Sequence, residues 1–145
     1  SWEAIKRREA GGARSALSGV PRALPALLRA LRVGEKAARL GFDWPDRTGP
    51  AAKVREELEE LEAACAAGDR AAITAELGDV LFSLVNLARH LGVDPEHALR
   101  GTIDRFSARF AWVERKLGDR LPGASLDELE AAWQEAKRAV PPATT

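Results

Sequence analysis

Four carboxylates occur in two helix-spaced pairs, and they are the side chains best suited to chemistry. Glu57 and Glu60 lie three residues apart, and so do Glu76 and Asp79. Residues three apart share one face of an α-helix. Four carboxylates that meet in one place repel one another, so they take up protons or hold cations. A hard divalent cation fits oxygen ligands of this kind, with Mg²⁺ the first choice and Mn²⁺ a substitute.

The second pair is the more informative one. EELEELE, at residues 56–62, is typical of a solvated helix surface. AELGDVLFSLVNLARHLG, at residues 75–92, is mostly apolar, and its polar side chains form one line at helical spacing: Glu76, Asp79, Ser83 and Asn86. A charge on an apolar helix costs free energy unless it has a partner. Together the two pairs predict a site, whereas the first pair alone indicates only an exposed face.

The elements that position these acids are predicted to be helices, because Ala, Leu, Glu and Arg dominate and β-branched residues are few. We expect a leading helix over 2–9, a helix ending near 40, a loop over 41–50, and helices over about 51–67, 70–92, 95–117 and 126–139. Asp69, Asp94-Pro95 and the Ser125–Glu128 capping box mark three helix starts. The short break at Gly68-Asp69 predicts that the two acidic helices are antiparallel neighbours in a helical bundle.

The 145 residues suggest a single domain, with a leading helix and linker over 1–20 and a frayed tail over 140–145. The net charge of zero gives no general attraction for nucleic acid or for an anionic membrane. Cys65, the one cysteine, excludes an internal disulfide and is expected to be a buried filler. No apolar run approaches a membrane span of roughly 20 residues. We therefore expect a cytoplasmic protein without nucleic-acid or membrane partners.

Other metal and phosphate sites fit less well. A di-iron bundle requires Glu-x-x-His on two helices, and neither His90 nor His97 completes such a pair with the four carboxylates. The chain has no Cys–His zinc spacing and no Walker-type glycine loop. A di-iron oxidase is thus an alternative that the histidine positions do not support.

The chain resembles the MazG-type nucleoside triphosphate pyrophosphohydrolases. The signature of that family is Glu-Glu-x-x-Glu, a spacer, and Glu-x-x-Asp. Here it reads Glu56-Glu57-Leu58-Glu59-Glu60, fifteen residues, and Glu76-Leu77-Gly78-Asp79. GVPRALPALLRA, GFDWPD and the Arg109-Phe110 segment also resemble the second domain of bacterial MazG, so the likeness runs from Trp2 to about Lys137.

The resemblance implies an all-α NTP-pyrophosphatase fold completed by homodimerisation, or by a higher homo-oligomer. The implied activity is Mg²⁺-dependent hydrolysis of an NTP or dNTP to the monophosphate and pyrophosphate. Water would attack the α-phosphorus, and the biological role would be house-cleaning of the nucleotide pool. Because bacterial MazG usually carries two such domains, the chain is expected to be a C-terminal fragment or a compact single-domain version.

The family motif also implies residue roles. Glu57, Glu60, Glu76 and Asp79 would be the metal ligands, and Glu56 would help to position water. Apart from the motif, basic side chains should balance the phosphate charge, with Lys53 (also catalytic), Arg105 and Arg109 as candidates; the alternative is that they are solvent-exposed bases. Phe42 and Trp44 could stack on the base, or they could pin the loop onto the core. Trp112 and Trp133 are expected to be packing residues because each has apolar neighbours on a helix.

Ile103 departs from the family pattern, in which asparagine is expected two residues before the basic residue now at Arg105. Isoleucine cannot donate or accept a hydrogen bond through its side chain. An alternative interpretation is therefore a catalytically weakened helical dimerisation module of the same fold. The preferred nucleotide, the choice between dimer and tetramer, and the number of metal ions are left open.

Overall fold

A computed structural model describes Trp2 and residues 14–143, and within these residues all regular structure is helical. The prediction of an all-α fold is confirmed. Residues 14–143 contain five α-helices and one 3₁₀ segment, Gly118–Gly123. The α-helices are α1 (Ala26–Arg39), α2 (Thr48–Ala67), α3 (Arg70–His90), α4 (Pro95–Leu117) and α5 (Leu126–Ala139). Apart from Trp2, the predicted leading helix lies outside the described residues.

The predicted helix starts are confirmed by their capping contacts. The Asp69 carboxylate accepts a hydrogen bond from the Ala72 amide, and Ser125 and Glu128 form a reciprocal capping box. The Asp94 carboxylate accepts from the Glu96 amide at 2.9 Å. Helix α2 begins at Thr48, three residues earlier than expected, because Asp46 accepts from the Thr48 amide and Pro50 is tolerated in a first helical turn.

The chain divides into two compact units, Ser1–Glu96 and His97–Thr145. In the first unit, α1 and α2 both pack on α3. Its buried apolar residues include Leu31, Ala64, Val80 and Val85. Because α2 and α3 are joined only by Gly68, in the left-handed region at φ 69°, and by Asp69, they pack side by side as predicted.

The second unit has its own small core. It is formed by Val113, Leu117, Ala132 and Ala136 from α4 and α5. Trp112 and Trp133 pack against this core, so the prediction that they are packing residues is confirmed.

One burial prediction was wrong. Cys65 is exposed, because the buried face of α2 passes through its neighbour Ala64, one residue and about 100° away. The leucines that flank the polar line of α3 are also largely exposed, with Leu77, Leu81 and Leu84 at 44–49%. The face of α3 that packs within its unit instead contains Val80, Ser83 and Val85.

Helix α3 also contradicts the expectation that no apolar run reaches a membrane-spanning length. It has 21 residues and a mean hydropathy of 1.4 over its most apolar window, enough on length and composition to cross a membrane. This is weak evidence for a membrane helix, because core helices of globular proteins share both properties.

Candidate metal centre

Three of the four predicted ligands come together between α2 and α3. Each of Glu57, Glu76 and Asp79 offers a carboxylate oxygen, and these oxygens all lie within 4.8 Å of one another. Glu57 is only 5% exposed, Glu76 is half-buried and Asp79 is exposed. The cluster therefore has a buried floor and an open side, an arrangement that admits a ligand from solvent.

Glu60, the fourth predicted ligand, lies next to this group but outside the set within 4.8 Å. It is exposed, and its charge raises the pKa of Glu76. Glu60 also contributes, as the smallest of the causes, to the lowered pKa of Glu57. Glu60 therefore borders the group formed by the other three carboxylates.

The two buried carboxyl groups respond to this crowding in opposite directions. The pKa of Glu76 is raised, first by burial and then by its hydrogen bond to Glu57 and the charges of Glu60, Glu57 and Asp79. The pKa of Glu57 is lowered, mainly by a hydrogen bond from Lys53, against the opposing effect of burial. Of the two, Glu76 is thus the group that holds a proton more readily.

Buried oxygens without partners give a reason to expect a cation. Among the described residues, Glu57 Oε2 and Glu76 Oε2 are buried and make no hydrogen bond. Buried polar atoms are normally satisfied, and an exception calls for an explanation such as an ion. A divalent cation with oxygen ligands satisfies both atoms and offsets the mutual repulsion of the acids. The residues present therefore fit a Mg²⁺ or Mn²⁺ site.

Lys53 lies one turn before Glu57 on α2. Its Nζ is 3.0 Å from Glu57 Oε1 and 3.4 Å from Glu56 Oε1. These contacts, the Glu57 hydrogen bond first, raise the pKa of Lys53 and keep it charged. Glu56, the predicted helper residue, is exposed and has this ion pair with Lys53. The amine therefore places one positive charge at the edge of the acidic cluster.

The predicted aromatic pair lies in the loop between α1 and α2. The Trp44 indole covers Gly49, where an added Cβ would lie 2.5 Å from the ring. One face of Trp44 is thus occupied by the start of α2. Phe42 is 78% exposed. Of the two predicted stacking residues, Phe42 has the freer ring.

The predicted basic contacts on α4 belong to the second unit. Arg109 is buried, donates from Nε to the Val140 carbonyl at 2.8 Å, and lies over the Trp133 ring. Arg105 is half-buried, with Nη2 3.5 Å from Thr102 Oγ1. Ile103 is 52% exposed. Their roles in substrate binding stay predictions.

Sequence reasoning missed one charged cluster. Asp43, in the GFDWPD loop, contacts Arg89 and His90 at the end of α3. The contacting residues are 46 and 47 positions apart, so no local spacing indicates the contact. The only available signal was the presence of a charged residue between two aromatic ones.

Comparison with known proteins agrees with the acidic signature. Residues 41–105 match the family model for phosphoribosyl-ATP pyrophosphohydrolase. The nucleoside triphosphate pyrophosphohydrolase of Escherichia coli is 42% identical over 144 residues, which cover 94% of this chain and 55% of that protein. This chain is similar to nucleoside triphosphate pyrophosphohydrolases of the MazG type over 94% of its length. The resemblance predicted from the sequence is therefore confirmed.

Two further proteins match this chain over the same share of its length. The nucleoside triphosphate pyrophosphohydrolase/pyrophosphatase MazG of Thermotoga maritima is 41% identical over 140 residues, covering 94% of this chain and 54% of that protein. YabN, an uncharacterized protein of Bacillus subtilis, is 40% identical over 142 residues, which are 29% of its length. The chain thus spans about half the length of the first two curated relatives.

Proposed function

We propose that the chain is a Mg²⁺-dependent nucleoside triphosphate pyrophosphohydrolase. It would hydrolyse an NTP or dNTP to the monophosphate and pyrophosphate, as part of nucleotide-pool house-cleaning in a bacterial cytosol. The observation that carries the proposal is the meeting of Glu57, Glu76 and Asp79 within 4.8 Å, with two buried oxygens that lack partners. The names of the E. coli and T. maritima relatives support the same reaction.

The acidic residues would hold the cation between α2 and α3. Glu57, Glu76 and Asp79 would be the ligands, with Glu60 as a fourth. When bound there, Mg²⁺ would neutralise charge on triphosphate oxygens and acidify a water for attack on the α-phosphorus. Mn²⁺ would be able to replace it.

The remaining side chains would bind and orient the substrate. The Lys53 amine, already beside the cluster, would contact a phosphate oxygen, and Glu56 would position water through its contact with Lys53. Phe42 and Trp44 would stack on the base, an interaction that tolerates different bases. Arg105 and Arg109 would supply further phosphate contacts. Positioning and electrostatics of this kind can carry phosphoanhydride hydrolysis without a covalent intermediate.

The apolar face of α3 supports a homodimer or a higher homo-oligomer. Leu77, Leu81, Leu84 and Leu91 recur at helical spacing, and each is 44–49% exposed. A contiguous exposed apolar surface of this kind marks an interaction site. Light scattering coupled to size exclusion would give the oligomeric state. Leu81→Glu should yield monomers, and unchanged assembly in that variant would contradict the proposal.

The reaction is tested on a panel of nucleotides with the products separated by chromatography. We expect monophosphate and pyrophosphate with Mg²⁺ and no turnover with EDTA. In H₂¹⁸O, attack at the α-phosphorus places the label in the monophosphate. Release of orthophosphate, or label in pyrophosphate, would refute the proposed bond cleavage. Phosphoribosyl-ATP belongs in the panel because of the family match over 41–105.

Two ligand variants test the site itself. Glu60→Gln and Asp79→Asn should abolish turnover and leave the helical circular dichroism unchanged, because each removes one negative ligand and keeps the side-chain size. Glu62→Gln, an exposed residue of α2, is the matched control. Wild-type rates in either ligand variant would show that the assignment is wrong.

A second candidate is a catalytically weakened dimerisation module of the same fold. Ile103 favours it, because an exposed isoleucine cannot contact phosphate or metal-bound water by hydrogen bonding. Ile103→Asn discriminates between the two. A large gain in rate from this variant would support the weakened module, whereas a fully active wild type would exclude it.

A further inference from the structure

A charged cluster separate from the acids joins the aromatic loop to the end of α3. Arg89 donates from Nη1 to Asp43 Oδ2 at 3.0 Å and from Nη2 to Asp43 Oδ1 at 2.6 Å. His90 Nε2 lies 2.9 Å from the same Oδ1. The Arg89 and His90 side chains are 16% and 10% exposed, and the Asp43 side chain is 27% exposed. A two-pronged guanidinium–carboxylate contact fixes orientation as well as distance.

Arg89 is itself held from two sides. Its Nη2 donates to Asn86 Oδ1 at 2.6 Å, one turn earlier on α3. On α1, Gly34 leaves room for the side chain, since a Cβ there would lie 3.4 Å from Arg89 Nε. The hydrogen bonds from Arg89 hold the pKa of Asp43 well below its ordinary value, so this carboxylate stays ionised. The guanidinium is therefore a fixed point to which the loop is attached.

The attachment point lies between the two aromatic residues. Asp43 Oδ1 also accepts a hydrogen bond from the Trp44 amide at 2.8 Å, which fixes the backbone on the side of the indole. The Phe42 amide donates to the Ala37 carbonyl at 3.1 Å. With Trp44 packed on Gly49, the loop holds Phe42 out to solvent on a constrained backbone.

We propose that Arg89 and Asp43 are positioning residues, which act through the loop to hold Phe42 and Trp44 in place for the nucleotide base. This inference rests on the proposed function, in which the two aromatic side chains stack on the base. A loop that is ordered before binding does not lose conformational freedom when the nucleotide binds. We call the Arg89–Asp43 contact the clasp. Its loss should therefore weaken substrate binding and leave the chemical step unchanged.

The kinetic test uses Arg89→Lys and Asp43→Asn. Lysine keeps the charge but cannot make the two-pronged contact, and asparagine keeps the size. We expect KM for the hydrolysed nucleotide to rise about tenfold, the equivalent of about 1.4 kcal/mol, with kcat within about twofold of wild type. Arg32→Lys is the matched control, because Arg32 pairs with Glu35 on the exposed side of α1.

A second readout does not depend on activity. Trypsin cleavage after Arg47, at the end of the loop, should be faster in both clasp variants and unchanged in Arg32→Lys. Faster cleavage together with a raised KM supports the proposal. Faster cleavage with an unchanged KM overturns the positioning role, and unchanged cleavage overturns the clasp. Circular dichroism identifies a variant that fails to fold, in which case the other variant decides.

The two proposals fail in different ways. A wild-type chain that releases no pyrophosphate from any nucleotide refutes the proposed function and the positioning role with it. A wild-type chain that hydrolyses nucleotides, alongside clasp variants with unchanged KM, refutes the positioning role alone.

Discussion

Mg²⁺ should reverse the order of stability between the wild type and Glu76→Gln. Burial, the hydrogen bond to Glu57 and the charges of Glu60, Glu57 and Asp79 raise the pKa of Glu76. A carboxyl group with a raised pKa in the folded state contributes stability below its unfolded pKa and loses it as pH rises through the folded pKa. At pH 8 without metal, replacing Glu76 by glutamine should therefore leave the protein as stable as wild type or more so.

With Mg²⁺ the same substitution should make the protein less stable than the wild type. The size of the effect follows from the linkage between Mg²⁺ binding and folding. At a Mg²⁺ concentration one hundred times Kd, binding stabilises the fold by about 2.7 kcal/mol. For a domain near this size, that raises Tm by about 5–10 °C. Loss of an outer-shell partner of a metal already weakens binding 10–100-fold, and loss of a ligand should cost at least as much. At the same Mg²⁺ concentration, a site that binds a hundredfold more weakly stabilises the fold by about 0.4 kcal/mol. This raises Tm by roughly 1–2 °C.

The spacing of the three carboxylate oxygens is compatible with Mg²⁺ binding. Mg²⁺ binds oxygen at about 2.0–2.1 Å, so ligands on opposite sides of the ion are roughly 4.2 Å apart and adjacent ones roughly 2.9 Å apart. The three oxygens of the cluster lie within 4.8 Å of one another without an ion. Contractions of roughly 0.6–2 Å between these oxygens would therefore bring them to the spacing that Mg²⁺ requires.

The assay is a set of thermal melts at pH 8 in EDTA and in a Mg²⁺ series. Glu62→Gln is the control, since it makes the same chemical change on an exposed residue of α2 outside the cluster. Mg²⁺ should raise the Tm of the wild type and of the control by several degrees, and it should raise the Tm of Glu76→Gln only a little. Equal shifts in all three proteins would refute the reasoning, because the ion would then be bound elsewhere.

Four further outcomes are expected. The apparent Mg²⁺ affinity, measured by calorimetry, should rise with pH above about 4.5 until Glu76 is ionised. The reason is that the raised pKa of Glu76 makes Mg²⁺ compete with a proton for this carboxyl group. An affinity independent of pH from 4.5 to 7 would contradict this prediction. Lys53→Ala should raise KM or lower kcat by removing the charge 3.0 Å from Glu57, and unchanged kinetics would assign Lys53 to the surface. Gly49→Ala should destabilise the fold by about 1–3 kcal/mol in urea titrations, because its Cβ would lie 2.5 Å from the Trp44 ring. Gly78→Ala, with nothing within 4 Å of the added Cβ, should instead be neutral or stabilising.

Local signals predicted the helices well. Asp69, Asp94 and Ser125 each accept a backbone hydrogen bond within three residues, so the sequence nearby contains the whole contact. The proximity of the two acidic pairs was also predictable, because helical spacing and a short connection place them on facing helices. The exception is Cys65, where a shift of one residue along α2 changes a buried position into an exposed one.

Contacts between distant segments were not predictable in the same way. The Asp43–Arg89 pair depends on how the loop folds back over the end of α3, and no periodicity describes that path. The packing of Trp44 on Gly49 likewise depends on a loop conformation, although both residues were visible in the sequence. The position of Glu60 outside the tight group follows from side-chain orientation, which helical spacing alone leaves free.

Helix α3 connects the metal and oligomer proposals through one physical requirement. Its acids need a cation because two of the cluster's buried oxygens, one of them on Glu76, lack partners. Its leucines need a cover because Leu77, Leu81 and Leu84 remain nearly half exposed in the single chain. Both features come from one sequence pattern, a polar line on an apolar helix. The contacts with α1 and α2 leave carboxylate oxygens without partners and leucine side chains partly exposed. Under the two proposals, a divalent ion would satisfy the acids of this helix and a second copy of the chain would cover its leucines.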